Sequence, residues 1–172
     1  MKKVNLIFAS AAFALSVGLS GCAKEDPAKP LEINLNKTAT IKGTVLYVEN
    51  HSVTEPTYKA APISGSDIKI KIPYSDLNSL YMGYDYYIVE SKNISCSNGE
   101  FTATIPATDS GVEFEIEFGD FEGKYNTGSK ELNVLWMCNS TASGTVSTNE
   151  TINVGPTEYN LYVILVKPGD KL

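Results

Sequence analysis

The sequence predicts an all-β fold, an antiparallel Greek-key sandwich of seven to eight short strands, and three observations carry that prediction. Apolar residues recur at every second position in several short runs, the period of a strand with one buried face. Clusters of Gly, Pro, Asn, Asp and Ser separate those runs. Nowhere does a useful length of chain repeat at the helical period.

Thr40 to Glu49 sets Ile41, Gly43, Val45 and Tyr47 on one face and Lys42, Thr44, Leu46 and Val48 on the other, which makes a strand. Asn50 to Ser66, rich in Pro, Thr, Ser and Ala, reads as a loop. Asp67 to Pro73 alternates Ile68, Ile70 and Ile72 with Lys69 and Lys71, and Pro73 ends the strand by removing a ladder donor. Ser75 to Leu80 fits a helical turn, and Tyr84 to Glu90 a strand. Ser97-Asn98-Gly99-Glu100 is a turn, Phe101 to Pro106 a strand, and Thr108-Asp109-Ser110-Gly111 a second turn. Val112 to Phe118 points Val112, Phe114, Ile116 and Phe118 one way and Glu113, Glu115 and Glu117 the other. Gly119 to Ser129 and Asn139 to Asn149 read as loops on either side of a strand at Glu131 to Cys138. Thr151 to Val154 and Tyr159 to Lys167 finish the sheet, parted by a turn at Gly155-Pro156.

Ahead of this domain stands a leader. Lys2-Lys3, the charge-free run Val4 to Ser20 and a small-residue junction have the form of a secretory signal. The uncharged run is at the short limit for a spanning helix, about 17–25 residues. It ends in Leu19-Ser20-Gly21-Cys22, which resembles the bacterial lipobox at all four positions. That resemblance implies a diacylglycerol on the Cys22 sulfur, cleavage after Gly21 and acylation of the new N-terminus. Each buried CH₂ contributes about 0.8 kcal/mol, and more than one chain makes the anchor stable. The chain thus divides into a signal peptide at 1–21, a lipidated N-terminus and tether at 22–38, and the sandwich at 39–172. Pro27 and Pro30 stiffen the tether, which reaches roughly 50 Å at most. Lys24-Glu25-Asp26 resembles the acidic export stretch of Bacteroidetes-type lipoproteins, which implies an outer-membrane location facing the cell exterior.

The order of the strands resembles the transthyretin-like, or prealbumin-like, sandwich in its carboxypeptidase-regulatory-like form. The residues that carry the likeness are Gly43-Thr44-Val45, Pro62-Ile63-Ser64-Gly65 before Ile68-Lys69-Ile70, Asn98 to Pro106, and Val112-Glu113-Phe114. Ser95 or Ser97 stands near the aspartate usual in that family. The resemblance implies a spacer, docking module or stabiliser and supplies no catalytic residues.

Composition excludes some partners. The net charge is −6 and all 14 basic residues are lysines, so the chain lacks the forked donors that read phosphates and guanines. Nucleic acid is not an expected partner. His51, the sole histidine, has no Gly-x-Ser-x-Gly elbow beside it, and with Cys96 and Cys138 it is too small a set for zinc. No cofactor is expected.

The remaining candidates are few. Cys96 and Cys138 sit in a compartment that permits disulfides, and pairing would close a loop of about 40 residues. Glu113 and Glu115, spaced about 6.5–7 Å along one strand face, could gather calcium with Asp120. As ordinary residues they form the wet face of an outer strand. Tyr81, Tyr84, Tyr86 and the lone Trp136 are the rings suited to stacking on a sugar or a protein partner. Alternation puts Tyr84 and Tyr86 together and Tyr87 opposite, so part of this set belongs to the core. The expectation is a non-enzymatic, lipid-anchored envelope protein that binds or scaffolds in a surface nutrient-uptake or adhesion system. Its partners would be the membrane, through the lipid, and a protein or glycan. A surface-fibre subunit and a small carboxylate hydrolase are the alternatives.

Overall fold

The structure, a computed structural model, describes residues 32–50, 57–126, 130–138 and 140–164, with the backbone alone at 49–50 and 158–164. The leader, Cys22 and His51 lie outside the described residues. The fold is an all-β sandwich. Its strands are β1 (Thr38–Asn50), β2 (Thr57–Ala60), β3 (Ile68–Pro73), β4 (Tyr86–Ile88), β5 (Ile94–Ser97), β6 (Glu100–Pro106), β7 (Val112–Phe118), β8 (Phe121–Asn126), β9 (Glu131–Met137), β10 (Ala142–Val146) and β11 (Thr151–Ile164). One helical turn, α1 (Tyr74–Leu77), follows β3. The larger sheet runs β5-β6-β1-β11-β9-β8, with β2 also on β1, and the smaller runs β10-β7-β3-β4.

Among the described residues every strand pairing is antiparallel except one. β1 and β11 run parallel, with Ile41 opposite Ile152 and a register shift between Gly43 and Val45. The strand count exceeds the expected seven to eight because β2, β5, β8 and β10 fall outside the stretches expected as strands. Ala142-Ser143-Gly144-Thr145-Val146 has weak alternation of its own, yet β7 supplies its ladder, with Gly144 opposite Phe114. β11 is one continuous strand through Gly155-Pro156, where a turn was expected. Proline is tolerated at such irregular positions because they need no ladder donor.

The predicted faces of β3 and β7 are the observed ones. Ile68, Ile70 and Ile72 of β3 are buried, as are Val112, Phe114, Ile116 and Phe118 of β7. They meet Ile41, Val45, Phe101, Ala103 and Ile105 of the other sheet in one core. The Phe101 and Phe118 rings close that core edge-on at 5.8 Å. Asn98 and Gly99 take positive φ of 52° and 75°, the hairpin turn that Asn-Gly favours between β5 and β6.

One end of the sandwich collects the N-terminus of β1, the C-terminus of β3 with α1, and the starts of β4, β7 and β11. The chain enters the described domain here. The Lys37 carbonyl accepts from Ala107 N at 2.9 Å, and Asn78 Nδ2 lies 3.5 Å from the Glu32 carbonyl oxygen. Residues expected to belong to the tether therefore join the domain.

Candidate functional site

The outward residues of the smaller sheet make its exposed face, and their order follows from register. Ile88 of β4 stands opposite Lys71 of β3, Lys71 opposite Glu115 of β7, and Glu115 opposite Ser143 of β10. Beside this row, Tyr86 pairs with Pro73. A trough of about 260 Å³ is lined by Lys71, Pro73, Tyr86, Glu113, Phe114, Glu115, Thr141 and Ser143. It offers one exposed ring, an ammonium, two carboxylates and two hydroxyls. A larger hollow of about 580 Å³ lies between β10 and β11, but its lining from Ser140–Ser143 and Ile152–Thr157 carries neither a charge nor a ring. The smaller trough therefore holds the more specific chemistry.

Charge on this face is balanced across strands. Glu117 accepts hydrogen bonds from Lys71, and Lys69 Nζ lies 3.6 Å from it. The hydrogen bond from Lys71 holds the Glu117 carboxyl below its ordinary value of 4.5, with the lysine charges adding to it and partial burial opposing. The same bond raises Lys71 above its ordinary 10.5. A depressed carboxylate stabilises the fold above its unfolded pKa and stops doing so as pH falls through its folded pKa. Glu117→Gln is accordingly expected to flatten the loss of stability below about pH 4.5, read from urea midpoints between pH 7 and 3. An unchanged acid slope would show that the pair contributes nothing.

The rings divide into two groups. Tyr81 is half-buried, its ring 5.6 Å from Tyr74, and its hydroxyl donates to Asp85. That bond pushes the phenol pKa up and keeps the group protonated. Tyr87 packs inward, edge-on to Tyr74 at 6.3 Å. Tyr84 is 97% exposed and Tyr86 50% exposed, so these two rings face solvent. Tyr81 instead holds their loop. Trp136 is a correction. It is wholly buried, 5.1 Å from Tyr47, 6.2 Å from Phe121 and 6.3 Å from Tyr125, and offers no surface for stacking.

Two further candidates are also corrected. Cys96 and Cys138 are free thiols. Cys96 lies on β5 and Cys138 follows β9, with β6, β1 and β11 between those strands in the sheet. Strands about 4.8 Å apart put four steps near 19 Å, beyond the reach of a disulfide. Burial pushes both thiols up in pKa. Glu113, Glu115 and Asp120 do not come together as calcium ligands. Among the described residues no group of three or more His, Cys, Asp or Glu side chains could hold a metal ion.

Sequence reasoning missed Lys71, Thr141 and Ser143 as site residues, and Leu80, Met82 and Ile88 as exposed apolar ones. From Leu80 to Val89 both phases of the alternation are largely apolar or aromatic, so period two alone cannot say which phase faces out. No protein-family model, curated protein or solved structure matches the chain.

Proposed function

We propose that this chain is a non-enzymatic, lipid-anchored module of the bacterial outer membrane, facing the exterior, that binds a glycan on the open face of its smaller sheet. The observation that carries the reading is the trough floored by Lys71, Pro73 and Glu115 and edged by the Tyr86 ring. A shallow polar trough with one exposed ring suits a sugar: the ring covers a C–H face while hydroxyls, carboxylates and the ammonium meet the sugar hydroxyls. The lipobox at Leu19–Cys22 supports the anchor, and the composition supports an envelope location. Among the described residues the two carboxylates with displaced pKa values, Asp109 and Glu117, both shift downward, whereas a glycosidase acid needs one raised. The transthyretin-like resemblance, with its spacer and docking roles, fits the same reading.

A glycan array probed with the soluble domain, followed by calorimetry of any hit, tests it. Tyr86→Ala is expected to weaken binding about tenfold or more, a loss of about 1.4 kcal/mol, with the melting temperature little changed. Binding that survives this substitution would place the ligand elsewhere. One observation favours a second reading, a fibre subunit built by strand addition: β4 is the terminal strand of its sheet, with Tyr86 and Ile88 exposed. Concentration-dependent polymers in size-exclusion chromatography would favour it.

A further inference from the structure

The four most exposed large apolar side chains among the described residues are Tyr84 at 97%, Met82 at 91%, Leu80 at 88% and Leu35 at 58%. All four belong to the end of the sandwich where the chain enters. Leu35 follows Glu32, whose carbonyl oxygen lies beside Asn78, and Leu80, Met82 and Tyr84 belong to the loop that Asn78 begins. The loop is built rather than loose. Leu80 N donates to Asn78 Oδ1 at 3.0 Å, Tyr81 N to the Asn78 carbonyl at 3.0 Å, and Tyr74 N to the Asp85 carbonyl at 3.0 Å. Tyr81, clamped between Tyr74 and Asp85, turns the even-numbered residues outward. Folding thus leaves Leu80, Met82 and Tyr84 in water, and their apolar area gains nothing from burial within the domain.

We infer that the Leu80–Tyr84 loop rests in the interface of the bilayer that holds the lipid anchor. The inference depends on acylation of Cys22, which is part of the reading above. Cys22 precedes Glu32 by ten residues, a span of at most about 36 Å, so a bilayer that holds the anchor is within reach of this end of the domain. Aliphatic side chains with a tyrosine suit the boundary between headgroups and acyl chains. The charges at this end among the described residues disfavour an electrostatic mode: Glu32, Asp76, Asp85 and Glu150 are acidic, and Lys37 and Lys92 are each paired, with Asp109 and Glu90, at 2.5 Å. The preferred surface is therefore zwitterionic, and insertion rests on apolar area.

The test uses full-length acylated protein carrying Tyr84→Trp, reconstituted into phosphatidylcholine vesicles with and without brominated acyl chains. Trp136 is wholly buried and serves as the internal reference. The expected result is a blue-shifted emission from the introduced indole, quenched severalfold more than that of Trp136 by brominated lipid. Adding Leu80→Ser and Met82→Ser, both at exposed positions, is expected to remove most of that quenching while the melting temperature holds. A blue shift without bromine quenching would mean a protein, such as a second copy, covers the loop, and would overturn the inference. So would an emission typical of water from the introduced indole on a chain whose mass shows acylated Cys22. A mass without acyl groups would overturn the anchor reading, and this inference with it.

Discussion

Trp136→Ala is expected to lower the unfolding free energy by about 3–5 kcal/mol. The indole is fully buried and sits among Tyr47, Phe121 and Tyr125, which belong to β1 and the β8–β9 hairpin. Removing it leaves a cavity bounded by rings from the neighbouring strands, and rigid rings collapse poorly into such a space. The hairpin is the far edge of the larger sheet and is joined to β1 through β11, so the indole is a principal link between them. Gly123 makes room for the ring: a Cβ there would stand 3.0 Å from Trp136 Nε1. That nitrogen is buried without a hydrogen-bond partner among the described residues. Trp136→Phe, which removes the unpaired N–H while keeping an aromatic ring, is therefore expected to fall well short of the alanine loss. Urea denaturation followed by far-UV circular dichroism compares the two, and equal losses would contradict a packing origin.

Gly43→Ala is expected to cost about 1–3 kcal/mol, although glycine to alanine within a strand is ordinarily neutral or favourable. Gly43 lies in the middle of β1, with Phe101 of β6 opposite on one side and Val154 of β11 on the other. A Cβ would stand 2.5 Å from Phe101 Cε1 and 2.8 Å from Val154 Cγ2. Phe101 cannot swing away, because it is buried and packed edge-on against Phe118. Gly155 on the adjacent β11 supplies the control. Nothing lies within 4 Å of a Cβ built there, so Gly155→Ala is expected to change stability by no more than about 0.5 kcal/mol. Thermal melts of the two variants side by side decide the matter; similar midpoints would mean that β1 yields and the close approach is soft.

The same contrast separates what was legible in the chain from what was not. Period-two alternation is a local property, and it assigned the buried faces of β3 and β7 and of β1 through Val45, while turn chemistry assigned the turns at Asn98-Gly99 and Thr108–Gly111. Local chemistry suffices there because each strand has one strongly apolar face and each turn has residues suited to it. The strands β2, β5, β8 and β10 escaped because partners, not their own patterns, make them strands. Pairing direction escaped for the same reason. Alternation reads alike in both directions, and only packing sets β11 parallel to β1. Trp136 looked like a surface ring because one residue cannot announce its own burial; rings from other parts of the chain enclose it. Cys96 and Cys138 seemed eligible partners until the sheet order put three strands between them. By itself the sequence determined the sandwich class and its core faces, since these depend on near-neighbour chemistry. Tertiary structure alone decided which tyrosines face water, which carboxylates meet lysines and where the exposed apolar loop lies, because each depends on contacts between residues far apart in the chain.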